Sequence, residues 1–196
     1  SVLDIGTGTG LVALMIAQRC ASEILALEID ENAVSQAIEN KERSPWKERI
    51  SIQHCDFKTF SCDKRFDLIV SNPPYFSDSL LSPDAKRSTA RHTNGLSYYE
   101  LVEGVSSLLS PKGEFSLIIP ADTIDKIKEI AAVYNLYPIR QTNVLSKPDS
   151  MPKRTLVTFS FSNLICTETN ELVIELSRHQ YSKEYISLTK DYYLNM

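Results

Sequence analysis

The stretch SVLDIGTGTGL at the start of the chain constrains the fold more than any other. The apolar run 2–5 is followed directly by glycines at alternate positions, Gly6, Gly8 and Gly10, and then by a helical pattern that begins at Leu11. Glycine permits positive φ and close approach of the backbone to a ligand. The N–H groups at the start of a helix can bind polar or anionic atoms. The stretch therefore predicts a strand–turn–helix unit with a ligand at the turn.

Strand patterns alternate with helix patterns along most of the chain, which is typical of an α/β protein. The predicted helices cover 11–20, 30–40 (capped by Asp30), 97–109 and 121–134 (capped by Asp122), and the predicted strands cover 2–5, 24–29, 50–54, 66–71, 114–119, 139–145 and 154–161. The last two strands have no helix between them and are expected to be antiparallel. The tail, 172–196, suggests one more strand and a short helix.

These patterns predict a fold class. It is a mostly parallel, seven-stranded sheet with an antiparallel last strand and helices on both faces, in one domain over residues 1–196. The first residue is Ser and the chain opens inside an apolar run, so a segment before residue 1 is expected.

Composition narrows the function classes. The chain is 42% hydrophobic and 23% charged, with a net charge of −4, which argues against a nucleic-acid binder that uses its whole surface but leaves room for a local basic patch. No apolar run approaches the roughly 18 residues of a membrane span. The four cysteines have neither CxxC pairs nor histidines at metal-ligand spacing. We therefore expect a cytoplasmic monomer with free thiols, no membrane contact and no metal.

The glycine turn is compatible with three kinds of site. Glu28 ends the second predicted strand, where a carboxylate can accept from both hydroxyls of a ribose. The dinucleotide fingerprint GxGxxG would need glycine where this chain has Leu11. The form DxGxGxG resembles motif I of class I S-adenosylmethionine-dependent methyltransferases. Another nucleotide site and a purely structural turn stay open.

A second motif, Asn72-Pro73-Pro74-Tyr75, ends the fourth predicted strand. By topology this strand lies beside the first, so both carboxyl ends face one crevice. The prolines fix φ and remove N–H donors, leaving the Asn72 side-chain oxygen and the Pro73 carbonyl as rigid acceptors. Two acceptors that bind both N–H groups of a planar NH2 group by hydrogen bonds favour attack by its nitrogen. They also stabilise the positive charge that develops there. Tyr75 can stack on a flat base.

Together the two motifs resemble the amino-methyltransferases that act on adenine N6, on guanine N2 or on glutamine N5. Asn72 to Phe76, followed by Arg87-Ser88-Thr89-Ala90-Arg91-His92-Thr93 and a Leu-rich helix, is similar to the bacterial tRNA1(Val) adenine N6-methyltransferases, as is the closing segment 190–194. The resemblance covers essentially the whole chain. It implies S-adenosylmethionine as cofactor and an adenine beside the anticodon of a tRNA as substrate. Such an adenine is already unpaired, so presenting it costs little.

The resemblance also implies roles for residues. It implies cofactor contacts at Asp4, Gly6, Thr7, Gly8, Glu28, Ile29, Asp56, Phe57 and Asn72. It implies catalysis by Asn72, Pro73 and Tyr75. It implies contacts to the tRNA anticodon stem-loop from Tyr75, Phe76, Lys86, Arg87, Arg91 and His92, to which the basic segment 147–154 adds Arg154. Solvated charged loops are the alternative for both basic segments.

Two other functions stay open at this point. Glutamine N5 methylation of peptide-chain release factors would use the same acceptor geometry on an amide. A non-catalytic RNA-binding protein could keep the fold, although it would need neither Asn72 nor the glycine turn. A DNA adenine enzyme is disfavoured because no target-recognition domain follows within the chain.

Overall fold

The computed structural model of the 196-residue chain describes residues 1–73, 95–163 and 168–194. The helices are α1 (Leu11–Arg19), α2 (Glu31–Glu42), α3 (Tyr98–Leu108), α4 (Ile124–Val133) and α5 (Lys183–Thr189). The strands are β1 (Val2–Ile5), β2 (Ile24–Glu28), β3 (Ile50–His54), β4 (Phe66–Ser71), β5 (Leu109–Pro120), β6 (Tyr137–Leu145), β7 (Arg154–Ser160), β8 (Glu168–Val173), β9 (Glu175–Ser177) and β10 (Gln180–Tyr181). No helix among these residues is long and apolar enough to cross a bilayer.

The main sheet has the strand order β3-β2-β1-β4-β5-β7-β6-β8. β1 pairs in parallel with both β2 and β4, and Ile5 is opposite Leu27 on one side and Ser71 on the other. The carboxyl ends of these three strands therefore lie at one edge, where ligands bind in open α/β sheets. β7 is antiparallel to both of its neighbours, as predicted.

The sheet has eight strands where seven were predicted. The additional strand, β8, pairs in parallel with the outer side of β6, and most of its residues are exposed. An exposed edge strand carries no alternating apolar pattern, so the start of β8 could not be predicted from the sequence. β9 and β10 form a separate small hairpin.

Two predicted element boundaries also differ. Residues 121–123 form a 3-10 turn before α4, and Asp122 does not cap that helix, whose cap position is Thr123 without a capping side-chain bond. β5 begins at Leu109, five residues before the predicted start at 114. Its register with β4 shifts between Phe66 and Leu68, so Pro111-Lys112-Gly113 forms a bulge within the strand. Asp30 does cap α2, through a bond from the Ala33 N–H to its Oδ1.

Helices cover both faces of the sheet. On one face α3 and α4 pack against the central strands in a core that includes Leu3, Ile69 and Phe115. On the other face α1 packs against β1, β2 and β3, where small residues such as Ala13 and Ala17 permit close approach. α3 begins with a complete capping box between Ser97 and Glu100, which fixes its first turn.

The C-terminal tail is attached to the far end of α1. The Arg19 guanidinium pairs with Asp191 and donates to the Tyr192 hydroxyl at 2.6 Å, and it lies 5.0 Å from the centre of that ring. α1 starts at the glycine turn, so the tail supports the same helix from its other end.

A buried carboxylate holds the glycine turn from beneath. Asp4 is 1% exposed, and its Oδ2 accepts from the Thr7 hydroxyl at 2.6 Å. Burial is the main reason that the pKa of Asp4 is raised from 3.8 to about 6, and the charge of Glu28 raises it further. The bonds from Thr7 and from the Ala13 N–H lower this pKa in part. The Asn40 amide adds a bond from α2 to the Thr9 carbonyl at 2.9 Å. Glycines have no side chains, so the turn is held instead by bonds from Thr7 to Asp4 and from Asn40 to Thr9.

Gly104 of α3 lets that helix lie directly on Phe57. A Cβ at position 104 would stand 2.6 Å and 2.8 Å from two atoms of the Phe57 ring, which is 8% exposed. Glycine inside a helix costs about 1 kcal/mol relative to alanine. The close contact with the ring gives a physical reason for keeping it here.

We expect Gly104→Ala to destabilise the protein by about 1 kcal/mol, because displacing a packed ring, at about 1–3 kcal/mol, outweighs the gain in helix propensity. Urea unfolding measures the difference. Ser107→Ala, on the exposed side of the same helix, is the control and should be nearly neutral. A Gly104→Ala protein more stable than wild type would show that Phe57 moves freely.

We expect Asp4 to make the free energy of unfolding depend on pH. A pKa raised from 3.8 to about 6 means that the stability contributed by the protonated form is complete below pH 4 and is lost as the pH rises through 6. Relative to Asp4→Asn, the wild type should therefore lose about 3 kcal/mol between pH 4 and pH 7. Urea unfolding of both proteins across this range measures the difference. Parallel pH profiles would contradict the prediction.

Candidate functional site

A cavity of about 440 Å³ opens at the carboxyl edge of β1, β2, β3 and β4. Its walls combine the glycine turn, the ends of β2 and β4, the segment after β3 and the approach to α3. The lining residues are Ile5, Gly6, Gly8, Leu27, Glu28, Ile29, Cys55, Asp56, Phe57, Lys58, Ser71, Asn72, Pro73, Gly95 and Leu96. Most of the predicted site residues that the structure describes therefore line one cavity.

The glycine turn leaves free space on the cavity side. Gly6 and Gly8 have φ of 71° and 57°, and a Cβ built on either would meet no atom within 4 Å. The N–H groups of Gly6 and Thr7 both donate to the Leu27 carbonyl at 3.0 Å, which ties the turn to β2. The turn is therefore held in place while its open side remains available to a ligand.

Glu28 joins the turn to the end of β2. Its Oε2 accepts from the Gly8 N–H at 2.8 Å, and its Oε1 accepts from the N–H groups of Ile29 and Asp30 at 2.9 and 3.0 Å. Each carboxylate oxygen has two lone pairs, so Oε2 retains capacity for a ligand hydroxyl. The predicted ribose contact is compatible with this geometry, and Glu28 has a structural role in addition.

Ile29 and Phe57 contribute apolar surface to the cavity lining. The Ile29 side chain is 56% exposed, whereas Phe57 is almost completely buried. Asp56 caps the short 3-10 turn Phe57–Thr59, accepting from the Lys58 N–H at 2.9 Å. Its other oxygen lies 3.9 Å from the Lys58 ammonium. A cavity lined by an aliphatic side chain, an aromatic ring and the Asp56 carboxylate suits a flat apolar group with polar edges, such as a purine.

Asn72 and Pro73 complete the cavity where β4 ends. The Ser71 hydroxyl is buried and donates to the Ile5 carbonyl at 2.9 Å, so the end of β4 is fastened to the last residue of β1. Asn72 is exposed and borders both this cavity and a second one of about 550 Å³ on the sheet face next to α1. Asn72 thus borders two spaces.

Several predicted site residues lie elsewhere. Asp4 and Thr7 are buried beneath the turn and do not line the cavity, so their geometry is that of supporting residues. Arg154 starts β7 at the same sheet edge, opposite Pro120 of β5. The remaining predictions, Tyr75, Phe76, Lys86, Arg87, Arg91 and His92, lie outside the described residues.

The structure adds residues that the sequence reasoning missed. Ser71 had a detectable signal, a polar residue that ends an apolar strand just before Asn72. Cys55, Lys58 and Leu96 had none, because only the folded chain brings them to the cavity. In the described parts of the chain no three His, Cys, Asp or Glu residues are grouped so that they could hold a metal ion.

Sequence comparisons identify the family. Residues 1–124 match the methyltransferase small domain. A curated relative from Bacteroides fragilis, named tRNA1(Val) (adenine(37)-N6)-methyltransferase, is 54% identical across all of this chain and 83% of its own length. A relative of the same name from Flavobacterium johnsoniae is 45% identical across all of this chain and 85% of its own length.

Solved structures share the fold. A predicted O-methyltransferase from Agrobacterium tumefaciens superposes with a TM-score of 0.78 at 18% identity, over 96% of this chain and 88% of that one. A glycopeptide N-methyltransferase in complex with S-adenosyl-L-methionine superposes with a TM-score of 0.61 at 15% identity, over 82% and 86%. At such identities the likeness concerns the fold alone. The family follows from the sequence relatives: the chain belongs to the methyltransferase small domain family and, within it, to the tRNA1(Val) (adenine(37)-N6)-methyltransferases.

Proposed function

We propose that this protein transfers a methyl group from S-adenosylmethionine to the exocyclic N6 of an adenine in tRNA, the adenine next to the anticodon of tRNA1(Val). The observation that carries the proposal is the position of Asn72 and Pro73 on the wall of the cavity that also contains the glycine turn and Glu28. The names of the sequence relatives supply the substrate. We place the reaction in the cytoplasm, where tRNA is matured.

The cavity fits the proposed cofactor. Glu28 has an oxygen available to a ribose, Ile29 and Phe57 contribute apolar surface for adenine, and Asp56 can accept from the adenine amine. The space beside Gly6 and Gly8 suits the part of the molecule that approaches the backbone. When bound, S-adenosylmethionine supplies an electrophilic methyl group on a positively charged sulfur.

The chain's own contribution to the reaction is electrostatic and positional. The Asn72 side-chain oxygen and the Pro73 carbonyl accept hydrogen bonds from the two N–H groups of the substrate amine. These bonds direct the nitrogen lone pair toward the methyl group and stabilise the positive charge that develops on nitrogen. Proline at position 73 has a fixed φ, so little reorganisation is required. The product ammonium is acidic and loses its proton to water afterwards, so no strong general base is needed.

Position accounts for much of the remaining rate. The Ser71 bond to Ile5 links the acceptor end of β4 to the strand that carries the glycine turn. Holding two reactants in attack geometry removes several kcal/mol of the barrier. Tyr75 and Phe76 as stacking residues, and Lys86, Arg87, Arg91, His92 and Arg154 as tRNA contacts, stay predictions.

The direct test is to incubate the full-length protein with labelled S-adenosylmethionine and unmodified total tRNA, and then to identify the labelled nucleoside by mass spectrometry. We expect N6-methyladenosine in one tRNA species. Labelled 2-methylguanosine, or label that appears only on an added release factor, would contradict the proposal. Calorimetry with S-adenosylmethionine is run in parallel. A protein that binds the cofactor but methylates no tRNA is an enzyme with another acceptor, whereas a protein that binds no cofactor is a scaffold.

We expect Asn72→Ala to lower kcat by roughly 10²-fold or more, with the affinity for S-adenosylmethionine near that of wild type, because the lost acceptor acts chiefly in the transition state. Asn72→Asp keeps an acceptor oxygen and should retain more activity than Asn72→Ala. Steady-state kinetics and calorimetry make both measurements. Equal rates for Asn72→Ala and wild type would eliminate the proposed role of the amide.

A further inference from the structure

The loop that joins β6 to β7, residues 146–153, is basic and exposed. It contains Lys147 and Lys153, both exposed, and one acidic residue, Asp149. Met151, near its tip, is 83% exposed and precedes Pro152. We refer to residues 146–153 as the β6–β7 loop.

Hydrogen bonds hold the β6–β7 loop in one shape. The Ser150 hydroxyl donates to the Lys147 carbonyl at 2.7 Å and accepts from the Lys147 N–H at 3.1 Å. The Lys153 carbonyl accepts from the N–H of Ala121, just beyond β5, at 3.3 Å, and the Ser146 carbonyl accepts from that of Glu175 at 3.1 Å. A loop fixed in this way loses little conformational entropy when it binds a partner.

Among the residues that the structure describes, the two lysines of this loop have no acidic partner. Within residues 1–73, 95–163 and 168–194, no carboxylate lies within 4.0 Å of either ammonium, whereas Lys41, Lys47, Lys58 and Lys64 each pair with an acid. In a chain with a net charge of −4, two lysines without a described acidic partner on one short loop are a local concentration of positive charge that attracts anionic partners.

The loop lies at the same edge of the sheet as the cavity. Ser71 is opposite Leu117 of β5, and Pro120, three residues further along, is opposite Arg154 at the end of the loop. Arg154 lies two strands away from Ser71 across the sheet and three residues further along the strand direction. With the usual strand spacing and rise per residue, the two residues are about 14 Å apart. Nucleotides that flank a base held beside Asn72 are therefore within reach of the β6–β7 loop.

We propose that the β6–β7 loop binds the RNA on one side of the target nucleotide, with Lys147 and Lys153 on phosphates and the Met151 thioether against an exposed base. The inference rests on the proposed function, since it takes the acceptor to be an unpaired nucleotide of an RNA. Phosphate contacts position an RNA without reading its sequence, and an apolar side chain between cations can cover the face of an unstacked base.

Fluorescence anisotropy with a labelled anticodon stem-loop RNA and the full-length protein tests this inference. The variant Lys147→Ala/Lys153→Ala should bind more weakly, and the slope of log affinity against log salt should decrease by about 2, or about 1 for each phosphate contact. The control Arg65→Ala/Lys112→Ala removes the same charge at the opposite edge of the sheet and should leave the slope unchanged. Met151→Ala should weaken binding about fivefold without changing the slope.

An unchanged slope for the loop double variant, or an equal decrease for the control, would overturn the inference. Urea unfolding of each variant shows whether an altered slope reflects altered folding. Methylation of the same RNA by the wild type is measured separately. If the wild type methylates adenine N6 while the loop variants bind normally, only the inference about the loop fails. If the wild type binds through the loop but transfers no methyl group, only the proposed function fails.

Discussion

The parallel pairing of β1 with β2 on one side and with β4 on the other is the constraint on which the site depends. The last residue of β1, Ile5, is opposite Leu27 and Ser71, so the three strands end within one residue of each other at one edge of the sheet. The turn after β1, the carboxylate at the end of β2 and the amide after β4 consequently share one cavity. The fixed spacing between hydrogen-bonded strands brings these groups together, and the bonds from Gly8 to Glu28 and from Ser71 to Ile5 hold them there.

A buried carboxylate, which costs stability, lies directly beneath the glycine turn. Asp4 is a carboxylate with almost no access to water, and its burial opposes ionisation. The bond from Thr7 compensates in part and fixes the turn at the same time. Buried charges of this kind cost stability unless they are well paired. Here the buried carboxylate holds a turn whose glycines have no side chains with which to hold it.

Sequence reasoning succeeded where local chemistry determines the outcome. The glycine turn, the cap at Asp30, the neighbouring positions of β1 and β4 and the antiparallel β7 could all be predicted from residue types and spacing. It was incomplete where the structure depends on contacts distant in sequence. β8 is an exposed edge strand, and Lys58 and Leu96 reach the cavity only through tertiary packing. Asp4 was predicted as a cofactor contact, and the structure places it buried beneath the turn, bonded to Thr7; sequence does not reveal on which side of a turn a carboxylate is buried.

Glu28 illustrates how tightly one residue can be constrained. Its two oxygens accept from three backbone N–H groups, two of them just after β2 and one in the glycine turn. An amide of the same shape would direct an NH2 group at one of these donors, and a side chain one carbon shorter would not span both segments. Only a carboxylate of this length satisfies the donors on both sides. Replacing Glu28 by Gln or Asp would therefore leave a backbone N–H without its acceptor even before any ligand is bound, so the fold alone constrains this position.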